Sequence, residues 1–212
     1  MMNKCIIFDI DGTIFDTKPG IINALNYTLE QFGKERIAPG EEDKYIGPPV
    51  KKVLEDYQNF SEVDAIKGTA LYRKVYVEKY VNNSTPYDKI KDVLEQFFRK
   101  KYIIGIATMK TGKQIEKLLD IFDYRKYFSV IETAREDGSW TKTQMLLEIK
   151  KKNNVFENEL YMVGDTMGDF EAAKNAGFTF IAADYGYGDI SHIQGLHINT
   201  PEELTCIIDC EF

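Results

Sequence analysis

A doubly wound α/β fold is what the sequence predicts: a parallel sheet with helices on both faces, interrupted once by a helical insertion. Three observations predict it. Short, almost wholly apolar runs recur at Cys5–Phe8, Tyr102–Ala107, Phe128–Ile131, Leu160–Gly164 and Phe178–Ala182, each rich in Ile, Val, Phe or Tyr. Segments with helical spacing fill the intervals between the later runs. Between the first run and the second, by contrast, no convincing strand occurs.

Taken in order, Cys5–Phe8 reads as a strand buried on both faces, because it carries no polar alternation. In the insertion, Ile21–Phe32, Val50–Tyr57 and Val63–Val81 read as helices, separated by the turn-rich stretches Gly33–Ile46 and Asn82–Pro86. Ile22, Leu25, Leu29 and Phe32 recur at steps of three or four, which suits an amphipathic helix. The remaining strands alternate with helices at Asp88–Lys100, Gly112–Phe122, Thr143–Lys151 and Gly168–Asn175. Strand and helix in alternation imply parallel pairing through right-handed crossovers. The expected division is therefore an α/β core of residues 1–16 and 86–212 and a helical insertion of residues 17–85.

Composition narrows the function. The 212 residues are 43% hydrophobic and 13% aromatic, enough for a core and too many for disorder. Against 27 Lys and Arg stand 34 Asp and Glu, a net charge of −7 that argues against a nucleic-acid partner. The insertion is charge-balanced, so the excess lies in the core. Cys5, Cys206 and Cys210 form neither a disulfide framework nor a zinc pattern and are expected to be reduced. No run approaches the ~18 apolar residues of a membrane helix, and the N-terminal apolar stretch is too short for a signal peptide. A cytoplasmic address with no membrane partner is expected; monomer and dimer both stay open.

The first strand ends in Phe8-Asp9-Ile10-Asp11-Gly12-Thr13, two carboxylates at the edge where open α/β sheets bind ligands. Two such charges roughly 4 Å apart would repel by about 4 kcal/mol at an effective dielectric near 20. A divalent cation, or a proton kept on one of them, removes that conflict. Asp-x-Asp-Gly by itself also describes a turn. The fourth strand, however, ends in Val163-Gly164-Asp165-Thr166-Met167-Gly168-Asp169, which brings two more acids to the same edge. Asp169 read alone is a helix cap; two acidic strand ends together describe a hard-cation site of oxygen ligands. The second strand ends in Thr108-Met109-Lys110, and Ser139-Trp140-Thr141-Lys142 follows the third, so a hydroxyl and ammonium groups reach that edge too. Such a set suits a phosphate with its metal.

These four elements, in this order and over essentially the whole chain, resemble the haloacid dehalogenase superfamily of phosphotransferases. The resemblance implies a Rossmann-like core with a helical cap. It implies that Asp9 is the nucleophile that forms an aspartyl-phosphate and Asp11 the general acid and base. Thr108 and Lys142, with the Met109 backbone and Lys110, would bind the phosphoryl group. The Mg²⁺ ligands would be Asp9, the Asp11 carbonyl and Asp165, with Asp169 supporting the metal or Lys142. The haloacid dehalogenases themselves lack an acid like Asp11, so phosphate chemistry is implied rather than halide chemistry.

Ile46-Gly47-Pro48-Pro49-Val50-Lys51-Lys52 and Asp184-Tyr185-Gly186-Tyr187-Gly188 are similar to segments of phosphoglycolate-phosphatase-like and 5′-nucleotidase-like members. The expected activity is hydrolysis of a small soluble phosphomonoester, phosphoglycolate-like. A β-phosphoglucomutase-like transfer, a 5′-nucleotidase and a catalytically silent binder are the alternatives. Met109 and Thr143 depart from the residues common at those positions. His192, His197 and Trp140 receive no catalytic role.

Overall fold

The computed structural model describes residues 4–135, 137–153 and 159–209. Among the described residues the strands are β1 (Cys5–Phe8), β2 (Phe15–Asp16), β3 (Thr85–Pro86), β4 (Ile103–Thr111), β5 (Val130–Ala134), β6 (Leu160–Gly164), β7 (Thr179–Ala183) and β8 (Leu196–Ile198). The α-helices among them are α1 (Lys18–Gln31), α2 (Val50–Gln58), α3 (Glu62–Val75), α4 (Ile90–Arg99), α5 (Gly112–Phe122), α6 (Lys142–Asn153), α7 (Met167–Ala176) and α8 (Glu203–Asp209).

Six strands form one parallel sheet in the order β5-β4-β1-β6-β7-β8. Every side chain of β1 is buried, and the pleat sends Ile6 and Phe8 into one core and Cys5 and Ile7 into the other. The first core is closed by α4, α5 and the inserted helices, through residues such as Leu25, Leu54, Phe97 and Leu118. The second is closed by α6 and α7, through Met145, Leu146, Ile149 and Ala173. This is the doubly wound fold read from the sequence. Because β4 lies on one side of β1 and β6 on the other, crossovers leave β1 in opposite directions, and the crevice opens at its C-terminal end.

The insertion leaves and re-enters the sheet at one point. Phe15 and Asp16 pair antiparallel with Pro86 and Thr85, which clasps the two ends of the helical segment together. Within it, the helix expected over Val63–Val81 divides. α3 ends at Val75, a π-helical turn follows over Tyr76–Tyr80, and a 3-10 turn follows over Val81–Asn83. The reason is packing: Tyr76 is fully buried, and the turn sets the Tyr80 carbonyl so close to Gly20 of α1 that a Cβ there would lie 2.6 Å from it.

Other differences are at the ends of elements. β4 runs on to Thr111, four residues past the expected end, with a register shift against β5 between Thr108 and Thr111. β8 and α8 had no counterpart in the sequence reading, since a three-residue strand shows no periodicity of its own. Cys5 is buried, which pushes its thiol up to about 12, and Cys206 is exposed; both are free, and Cys210 lies outside the described residues. No helix among the described residues is long and apolar enough to cross a membrane.

His197 anchors β8. Its Nδ1 lies 2.9 Å from Asp184 Oδ1 and its Nε2 2.7 Å from the Ile193 carbonyl, so both ring nitrogens face acceptors. The Asp184 hydrogen bond and then the Ile193 carbonyl raise its pKa above the ordinary value of 6.5. A raised folded pKa contributes stability below the unfolded value that is lost as pH rises through the folded one. His197→Gln is therefore expected to lower the melting temperature more at about pH 5.5 than at about pH 8.5. The difference should correspond to less than about 1 kcal/mol, as for an exposed ion pair. Equal losses at both pH values would remove the charge from this account.

Candidate active site

β1 delivers Asp9 to the crevice, where its amide still donates to the Val163 carbonyl at 2.9 Å, and the chain then turns back on itself. Gly12, at φ +76°, makes that turn, and it does so against Asp165, whose Cγ would lie 2.6 Å from any Cβ there. β6 delivers Asp165 beside it, fully buried. Thr166 then caps α7: its hydroxyl accepts from the Asp169 amide, while Asp169 Oδ2 accepts from the Thr166 amide at 3.0 Å. The cap role read for Asp169 in isolation is thus real, and it fixes the other carboxylate oxygen toward the crevice.

Lys142, the first residue of α6, reaches the crevice from the helix packed beside α7. Its ammonium pairs with Asp169 Oδ1 and lies 2.9 Å from Asp9 Oδ1. Burial works against that charge, but Asp169 and then Asp9 outweigh it, so the lysine stays protonated. Asp9, Asp165 and Asp169 each offer a carboxylate oxygen within 4.8 Å of the others. Burial, with the neighbouring acids, lifts Asp9 to about 6 and Asp165 well above the usual carboxylate range.

Three buried carboxylates facing one ammonium are a donor set that fits a divalent cation. Asp9 Oδ1 points the same way: it is buried without a partner at hydrogen-bond geometry, the Lys142 charge notwithstanding.

Asp11 stands apart from the three. Its Oδ1 lies 2.7 Å from Lys110 Nζ and accepts from the Thr17 hydroxyl. Lys110, grouped by its sequence position with the phosphate-binding residues, is buried here against Asp11 and lies 4.6 Å from the centre of the Tyr76 ring. Burial opposes its charge, and Asp11 holds it. Thr108 is buried at the bulge of β4, where its hydroxyl accepts from the Lys110 amide at 3.3 Å. Met109 lies beside it. Asp9, Asp11, Thr108, Met109, Lys142 and Asp165 thus share a small pocket of about 30 Å³, which Ile46 and Gly47 of the insertion cover.

Two residues the sequence reading left without a role hold this arrangement together. Tyr187 donates its amide to Asp165 Oδ2 at 2.8 Å, and its phenol accepts from the Thr17 and Lys18 amides while donating to Asp16. One residue therefore serves a central carboxylate through its backbone amide and the uncapped start of α1 through its side chain. Thr17 is the other, through its bond to Asp11. The only sequence signal was the Tyr-Gly-Tyr-Gly turn, noted as a family likeness. Trp140, in contrast, is packing: it lies against the second core with the Arg135 guanidinium 4.1 Å from its ring. Lys51 is half-buried and paired with Glu55 and Glu62.

Gly186 and Gly188 let the Tyr187 loop rest directly on Asp165; a Cβ at Gly186 would lie 2.6 Å from Asp165 Oδ2 and from the Gly12 carbonyl. Gly186→Ala is expected to cost about 1–3 kcal/mol of stability, as overpacking does, and to displace Asp165. Thermal melting with and without Mg²⁺ checks this: the variant should lose both melting temperature and its response to the cation.

Comparisons with known proteins identify relatives of the whole chain. The phosphoglycolate phosphatase of Aquifex aeolicus is 32% identical over 213 residues, covering 97% of each chain. A 5′-nucleotidase of Pseudomonas aeruginosa is 25% identical over 184 residues, 86% of this chain and 83% of that protein. The solved structure of a haloacid dehalogenase-like family hydrolase from Streptococcus pneumoniae shares the fold, with a TM-score of 0.86 at 21% identity over 97% of this chain and 98% of that one. The haloacid dehalogenase-like hydrolase profile matches residues 6–183, and the chain belongs to that family.

Proposed function

We propose that this protein is a Mg²⁺-dependent phosphoric monoester hydrolase that cleaves a small soluble phosphomonoester through an aspartyl-phosphate. The observation that carries the reading is the meeting of Asp9, Asp165, Asp169 and Lys142 at one buried point of the sheet edge. The phosphatase and nucleotidase relatives support it.

In this reading Asp9 attacks phosphorus, the ester P–O bond breaks as the acyl phosphate forms, and Asp11 gives its proton to the departing alkoxide. Asp11 then takes a proton from water, whose oxygen attacks the acyl phosphate, releasing inorganic phosphate and restoring Asp9. Lys142 and the Thr108 hydroxyl hold the equatorial oxygens as charge moves across them. Asp9, the Asp11 carbonyl and Asp165 would hold Mg²⁺, which would neutralise the phosphoryl charge. Lys110 and Thr17 aim the Asp11 carboxyl, and Asp169 sets Lys142. The insertion acts as the cap that closes over the bound ester and shields the reacting phosphoryl group from bulk water during transfer.

Asp9→Asn should abolish phosphate release while circular dichroism shows an unchanged fold; near wild-type turnover would remove Asp9 as nucleophile. EDTA should abolish activity, and added Mg²⁺ should restore it. Asp9 titrates at about 6 when folded against 3.8 when unfolded. Between those values the folded protein holds the extra proton, so without a cation stability falls as pH rises. Cation binding needs the ionised acids, so Mg²⁺ should raise the melting temperature more at about pH 7.5 than at about pH 5. A Mg²⁺ shift independent of pH would count against these ligands.

A further inference from the structure

The pocket at Asp9 continues into a second cavity of about 510 Å³. The two share Asp11, Ile46, Gly47 and Met109, so the carboxyl that would protonate the leaving group stands at their junction. Whatever alcohol departs from phosphorus at Asp9 therefore extends into this cavity. Its volume lies within the ~300–1,000 Å³ of sites that enclose ligands of many atoms. A two-carbon acid such as glycolate would leave most of it to water.

The space is not the gap left by a lifted insertion. Ile46 and Gly47 already line the small pocket, a Cβ on Gly47 would lie 3.6 Å from Thr166 Cγ2, and Lys110 of β4 already meets the Tyr76 ring. The cavity persists with those contacts made.

Its walls choose an occupant. Ile21, Tyr45, Pro48, Val50, Ile66 and Tyr72 of the insertion face it with apolar and aromatic surface. A small hydroxy acid needs a cation for its carboxylate once water is excluded. Of the basic side chains on these walls, Lys51 pairs with Glu55 and Glu62, Lys110 with Asp11, and Arg73 is likewise engaged, while the Arg135 guanidinium is drawn onto the Trp140 ring.

We propose that the alcohol of the preferred phosphomonoester carries a ring system that fills this cavity against the Tyr45, Tyr72 and Pro48 surface, and that phosphoglycolate is a poor substrate. The proposal rests on the phosphatase reading above for its reaction, and on the cavity alone for its specificity.

Phosphate release is compared for 2-phenylethyl phosphate, adenosine 5′-monophosphate and phosphoglycolate with Mg²⁺. All three are esters of primary alcohols, so leaving-group chemistry is similar and the difference reports the cavity. At least one ring-bearing ester is expected to exceed phosphoglycolate in kcat/KM by about tenfold or more. Ala70→Trp, from a wall position on α3 that is exposed in the fold, should bring that ratio down toward one. Phosphoglycolate turned over as well as both ring esters, or a ratio that the tryptophan leaves unmoved, overturns the proposal. If no ester releases phosphate, the phosphatase reading fails by itself. Calorimetric affinities of 2-phenylethyl phosphate and phosphoglycolate then decide the cavity: about tenfold tighter binding of the ring ester supports it, and equal binding overturns it.

Discussion

Negative charge brought together inside the protein is the constraint on which the rest depends. Asp9, Asp165 and Asp169 are all but inaccessible to water and within reach of one another, and a single ammonium pairs with two of them, Asp9 and Asp169. Isolated ionised carboxylates are not tolerated in such surroundings; they take up a proton or a counter-ion. The raised pKa values of Asp9 and Asp165 are the sign of that conflict in the chain by itself. A fold that assembles this cluster holds a site that is stabilised when a cation or an anion-with-cation arrives. Affinity and instability at the sheet edge therefore have one origin.

Holding the acids in place falls to backbone rather than to long side chains. Asp165 is enclosed by Gly12 on one side and by Gly186 and Gly188 on the other, at approaches that leave no room for a Cβ. The Tyr187 amide fixes one of its oxygens, and the same residue's phenol ties the start of α1 to the loop after β7. The beginning and end of the core thus close on each other through one buried carboxylate. Asp169 is used in a similar double way, one oxygen closing the α7 cap and the other receiving Lys142. Positions that serve two purposes leave little freedom for movement, which is what catalysis by preorganised charge requires.

The inserted helices do a different job. They are clasped at β2 and β3, packed on the first core, and joined to the site through Thr17, Tyr76 and the Ile46–Gly47 segment. Lys110 lies where the two parts meet, buried between Asp11 of the sheet edge and Tyr76 of the insertion. The charge paired with the Asp11 carboxyl is consequently in contact with the segment that lines the larger cavity. The same lysine lines the cavity and pairs with Asp11.

Much of this was legible in the chain. β1 and β6 are short apolar runs with no competing reading, because burial on both faces suppresses polar alternation, and the acids follow where each run stops. Alternation of strand and helix determined the parallel sheet, and with it that Asp9, Thr108 and Asp165 would share an edge. What the sequence could not decide is which charges pair across that edge. Lys110 and Lys142 are each a lysine near a strand end, yet one serves Asp11 and the other Asp9 and Asp169, a choice made by the bulge in β4 and the start of α6. Tyr187, Thr17 and the π-helical turn at Tyr76 were equally hidden, because their roles depend on neighbours far away in the chain. Local pattern determined the strands and the acids at their ends; long-range packing alone decided the partners of those acids and the volume of the cavity beside them.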